Sequence, residues 1–92
     1  MIVGSLRVRL LIRESRTLKD KRQVVQSIKD RLQNRFNVSV AEVDSLDNPR
    51  LAVLGFAMVS NETAPVRQAF DQIVAALRGH PVAELIDHEA EV

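Results

Sequence analysis

Residues 2–13 read IVGSLRVRLLIR, and their alternation decides the fold. Ile2, Gly4, Leu6, Val8, Leu10 and Ile12 point one way; Val3, Ser5, Arg7, Arg9, Leu11 and Arg13 point the other. Successive strand side chains alternate between faces, so one face here is apolar and the other carries three arginines. A strand of this kind belongs to a sheet covered on one side only. Arg7 and Arg9 also interrupt the apolar run, which therefore does not read as an export leader. No stretch reaches the roughly 18 apolar residues of a membrane span. The expectation is a cytoplasmic protein with no membrane partner.

The next elements follow from their own periods. Thr17 and Asp20 have the spacing of a reciprocal helix cap, and Leu18, Val24, Val25, Ile28 and Leu32 then recur at helical intervals, predicting a helix over 18–34. FNVSVAEVD (36–44) alternates as a second strand, and SLDNPR (45–50) is a turn. RLAVLGFAMVS (50–60) is apolar on both faces, as an interior strand is. Asn61 is placed to cap a second helix over 63–78, whose stripe is Val66, Ala69, Phe70, Ile73, Val74 and Leu77. Gly79 and Pro81 end it, and VAELIDHEAEV (82–92) closes the chain as an acidic edge strand. Gly4 and Gly55, isolated inside strands, are expected to let a helix approach closely.

Strand, helix, strand, strand, helix, strand is the βαββαβ order of a ferredoxin-like α+β sandwich. It carries one four-stranded antiparallel sheet, with the first and third strands central and both helices on one face. The 92 residues make a single domain, 1–92, with 46% apolar and 27% charged residues. The expected core is Leu6, Val8, Leu10, Val25, Ile28, Leu32, Val53, Phe70, Ile73 and Leu77.

Catalytic chemistry finds little support. There is no cysteine, which excludes disulfides and thiolate ligands, and only two histidines are present, His80 and His88. The three glycines form no phosphate-cradling loop. Asp87, Glu89 and Glu91 share a strand face but read as a solvated edge opposite the first strand's arginines, with Arg7 and Arg9 near some of Glu84, Asp87 and Glu89. Asp44 and Asp47 read as turn acids, and His80 as a cation at a helix C-terminus when protonated. The expectation is no enzyme, no metal and no cofactor.

Charge is more informative. Residues 1–35 hold ten Lys/Arg and three Asp/Glu, a balance of +7, whereas residues 36–92 hold three and nine, a balance of −6. The stretch SRTLKDKRQVVQSIKDR (15–31) gathers Arg16, Lys19, Lys21, Arg22 and Lys29 around the first helix start. Lys21 falls inside the apolar arc at about 100° per residue. Free backbone N–H groups and clustered cations together predict an RNA or other anion site at these five residues. Arg7, Arg9 and Arg13 form a second basic patch on the open sheet face. RNA-recognition motifs stack bases on aromatics of the two central strands, whereas here the first strand offers arginines and the third only Phe56.

Three blocks add a resemblance: TLKDKR (17–22), RFNVSVAEVD (35–44) and the glycine-led first strand. With LAVLGFAMVSNE (51–62) they resemble the YlxP-like family of small bacterial proteins of unknown function, over nearly the whole chain. The resemblance implies a ferredoxin-like fold. It also implies a role near RNA or the ribosome, because such proteins are often encoded beside translation factors and ribosome-binding factor A. Family members often carry an aromatic after the Asp turn, where this chain has DNPRLA (47–52).

Two functional readings result. One is an RNA- or ribosome-associated binding factor using the basic helix start. The alternative is a homodimerising interaction module whose open sheet face presents Ala52, Leu54, Phe56 and Met58, extended by Ala41 and Val43, while Leu51, Val53, Gly55, Ala57 and Val59 pack the helices.

Overall fold

The computed structural model describes residues 1–92. The elements are β1 (Ile2–Leu11), α1 (Leu18–Arg35), β2 (Ser39–Asp44), β3 (Leu51–Ser60), α2 (Thr63–Arg78) and β4 (Glu84–Glu91). The sheet order is β2-β3-β1-β4, and every neighbouring pair is antiparallel. This is the ferredoxin-like α+β arrangement, with β1 and β3 central.

Local chemistry accounts for the helix boundaries. Thr17 Oγ1 accepts from the Asp20 N–H at 3.1 Å, and Asp20 Oδ2 accepts from the Thr17 N–H at 3.3 Å, closing the reciprocal cap. At α2 the sequence reading fails by one residue. Glu62, not Asn61, is the N-cap, and no side chain caps that end. Ser60 Oγ instead accepts the Glu62 N–H. Pro65 sits in the first turn, where a missing N–H costs nothing.

The core lies between the helices and one sheet face. Leu6, Val8 and Leu10 stand opposite Phe56, Leu54 and Ala52 in the β1–β3 register, and all six are buried. Val25, Ile28 and Leu32 of α1 and Val66, Phe70, Ile73 and Leu77 of α2 cover them. Gly4 meets α2 as expected: a Cβ there would collide with Val66 and crowd Phe70. Gly55 does not meet a helix. It faces away, and its would-be Cβ lies 2.9 Å from Val43 Cγ1.

Register also reverses the expected faces of β3. Gly4 pairs with Met58 and Leu6 with Phe56, and directly opposed residues share a face. Ala52, Leu54, Phe56 and Met58 therefore pack beneath the helices, where Leu54 and Phe56 are buried and Met58 partly buried. The open face carries Leu51, Val53, Gly55, Ala57 and Val59. Val53 is buried as expected but outside the main core, flanked in register by Arg9 and Asp44.

Candidate nucleic-acid interface

The sequence places two sets of cations on two surfaces, and the fold treats them differently. On the open sheet face all three arginines have carboxylate partners. Arg7 Nη2 is 2.9 Å from Asp44 Oδ2, Arg9 Nη1 is 2.7 Å from Asp87 Oδ2, and Arg13 Nη2 is 2.8 Å from Glu84 Oε2. Arg9 finds one of the β4 acids the alternation suggested. Arg7 turns instead to β2, where a bulge at Val43 brings Asp44 opposite Val53. The patch at Arg7, Arg9 and Arg13 is thus a neutralised lattice of exposed pairs, not a free basic surface.

Lys21 leaves the anion-binding set altogether. Its side chain is 1% exposed, and Nζ donates to the carbonyls of Ser45 at 3.0 Å, Leu46 at 3.3 Å and Leu51 at 3.2 Å. Three ammonium protons meet three carbonyls. Glu42 Oε2 lies 2.8 Å from the same nitrogen and is buried without a hydrogen bond of its own, so its compensation is the Lys21 charge. The lysine in the apolar arc is a clamp on the β2–β3 turn. Ser45 in that turn has φ 55°, the left-handed region that a serine adopts at a cost, and its carbonyl is one of those clamped.

The helix start itself is also less open than its sequence suggests. Asp20 Oδ2 accepts from the Arg16 N–H at 3.0 Å as well as from Thr17. Hydrogen bonding from the Arg16 amide, the largest influence, holds the Asp20 carboxyl below its ordinary 3.8, despite some desolvation. The chain supplies its own anion to these N–H groups. An external anion must therefore be held by side chains.

Those side chains remain available. Arg16, Lys19 and Arg22 are exposed and Lys29 is partly buried, and none lies within 4.0 Å of a carboxylate. Asp20, the acid beside Lys19, is taken up by the cap, and Asp30, beside Lys29, accepts from Gln26 at 2.8 Å. Lys19, Arg22 and Lys29 fall along one flank of α1 at about 100° per residue. Arg31, a cation of the 15–31 stretch outside the expected anion site, and Arg35 flank the other side of α1, with Arg35 5.1 Å above the Phe36 ring. Arg50 was also missed. Its Nε donates to the Ser15 carbonyl at 3.2 Å, which brings a cation of the β2–β3 turn beside the start of α1. Only the folded turn reveals that proximity.

His80 is not a helix-end cation. Its Nδ1 accepts from the Val82 N–H at 3.1 Å and the Ala83 N–H at 2.9 Å, so the ring proton sits on Nε2. Burial, then the nearby Arg31 charge, pushes its pKa below the ordinary 6.5. His88 Nε2 lies 3.4 Å from Arg78 Nη2. No group of three or more His, Asp or Glu side chains converges as a metal-ligand set. No helix is long and apolar enough to cross a membrane.

A family model described as "Protein of unknown function (DUF503)" matches residues 3–90. The chain is also 29% identical over 83 residues to the "Uncharacterized protein YlxP" of Bacillus subtilis (strain 168), covering 90% of each chain.

Proposed function

The chain belongs to the DUF503 family of unknown function, and from that premise we propose a non-enzymatic, cytoplasmic binding factor that contacts RNA, free or ribosomal, through the outer surface of α1. Arg16, Lys19, Arg22 and Lys29 contact phosphates in this reading, with Arg50 joining at the helix start. One observation supports it above the others. Arg7, Arg9, Arg13 and Lys21 have carboxylate partners, while Arg16, Lys19, Arg22 and Lys29 have none. Unpaired, exposed cations concentrated on one element are the electrostatic footprint of a polyanion contact.

The test is a salt-titrated binding assay with single-stranded RNA. Each phosphate contact adds about −0.7 to the slope of log affinity against log salt. The double substitution Lys19→Gln, Arg22→Gln should flatten that slope by about 1–2 units and leave the fold intact. No binding by the parent at low salt, or an unchanged slope in the variant, rejects the reading.

A further inference from the structure

We propose that two copies of this chain pack through their open sheet faces, forming a two-fold dimer with sheets inside and helices outside. The apolar patch shares only Ala41 and Val43 with the one expected from the sequence. Its members are Val3, Ala57 and Val59 along β1 and β3, with Ala41 and Val43 from β2. Val3, Val43 and Val59 are 58%, 52% and 57% exposed, an unusual place for three valines on neighbouring strands. Val3 and Val59 are register partners, so they stand together as one ridge. Beside that ridge a shallow hollow lies over Gly55, bounded by Ser5, Ala41, Val43 and Ala57. A ridge next to a hollow on one face is what an isologous contact needs, because the two-fold axis sets each ridge into the other copy's hollow.

Charge selects the occupant. Arg7, Arg9 and Arg13 each have an acid partner on the same face, so the patch is bordered by neutral pairs. A nucleic acid would find no free arginine there, and a strongly charged protein would gain nothing from it. A second copy meets a border of alternating signs that can register with its own. Glu89 and Glu91 stand opposite Arg7 and Ser5 on β4, at the far edge from β2, where they remain in solvent at the rim.

The available area is adequate. β1 and β3 have ten residues each. At about 3.4 Å per residue and about 4.8 Å between strands, the face measures roughly 34 by 19 Å. That rectangle, about 650 Å² and smaller where β2 and β4 have only six and eight residues, suits an interface at the low end of the standard size class. The arrangement leaves both α1 helices outward, and it does not rest on the RNA reading.

Light scattering or sedimentation of the full chain at about 100 µM tests it, the scale at which a modest interface is populated. The parent should read twice the chain mass and hold it in 0.5 M salt, since the contact is apolar. Val59→Glu sets a carboxylate from each copy into the other's apolar hollow and should raise the dissociation constant by about 100-fold or more. Val3→Glu supplies the same test at the neighbouring exposed position if Val59→Glu folds poorly, and circular dichroism checks both. Lys19→Gln, Arg22→Gln should stay dimeric. A monomeric parent at this concentration, or a dimer that survives both valine substitutions, overturns the proposal. The second outcome would mean pairing through a sheet edge or helix face instead.

Discussion

Lys21 Nζ lies 2.8 Å from Glu42 Oε2, joining the first helix to the edge strand of the sheet at a site where the lysine is almost fully buried. The same nitrogen holds three carbonyls at the β2–β3 turn. Lys21→Ala would orphan those acceptors and leave a buried carboxylate uncompensated. Removing one partner of a buried ion pair costs about 3–5 kcal/mol. Urea unfolding should show a loss in that range, and Glu42→Gln, which keeps shape and an acceptor oxygen, should lose less. A Lys21→Ala loss below ~1 kcal/mol would mean that water replaces the clamp.

The pair also joins the blocks TLKDKR and RFNVSVAEVD in space. One block supplies the lysine and the other its carboxylate. Lys21 was visible as an anomaly in a helical wheel, but its partner lies 21 residues away on a different element. Periodicity reports which face a residue occupies, not which residue it meets across the fold. The same limit reversed the faces of β3. RLAVLGFAMVS is apolar on both sides, so alternation within it carries no sign, and only the register placing Leu6 opposite Phe56 fixes it. β1 was readable because its arginines mark one face outright. The α1 cations were legible as a cluster, whereas their pairing state was not.

Gly4 and Gly55 give that face assignment an independent check. A Cβ on Gly4 runs into Val66 and Phe70, both buried in the packed core. Gly4→Ala should therefore cost about 1–3 kcal/mol, the usual penalty of overpacking. Gly55→Ala meets Val43, which is half-exposed and can move into solvent. Its cost in urea unfolding should be clearly smaller. Equal losses would count against the placement of Gly55 on the open face.

His80 and Asn48 solve one problem with different chemistry. Asn48 Oδ1 accepts from the N–H groups two and three residues ahead, at Arg50 and Leu51, and His80 Nδ1 does the same at Val82 and Ala83. The imidazole must be neutral to accept, and its folded pKa lies below 6.5. The folded state thus favours the neutral ring. The resulting stability is present in full above pH 6.5 and declines as pH falls through the lower folded pKa. His80→Asn keeps the acceptor without the titration. Its melting temperature should stay level over the interval just below pH 6.5 where the parent's declines. Parallel profiles would show that the His80 turn does not feel protonation.

Asp20 should act lower on the pH scale. Its carboxyl sits below 3.8 in the fold, so its contribution is present above 3.8 and lost as pH falls through the depressed value. Asp20→Asn should remove that part of the acid unfolding profile and weaken the start of α1 at neutral pH. Thr17→Ala removes the other half of the cap, at a cost of about 0.5–2 kcal/mol. If neither substitution lowers helix content or stability, the reciprocal cap does not govern where α1 begins.

The two cation sets make opposite predictions, and that contrast separates net charge from surface geometry. Arg9→Gln removes one positive charge from a pair with Asp87, and Arg22→Gln removes one from an unpaired site on α1. Both change the net charge equally. Exposed ion pairs contribute about 0–1 kcal/mol, so neither substitution should unfold the protein. If RNA contacts α1, Arg22→Gln should reduce the salt slope by up to about 0.7, the value of one single-strand phosphate contact. Arg9→Gln should leave the slope unchanged, because its guanidinium already faces a carboxylate. Equal effects from the two would point to a diffuse attraction to the whole +1 chain and against a site on α1. A larger effect from Arg9→Gln would move the contact to the open sheet face, the surface assigned above to a second copy.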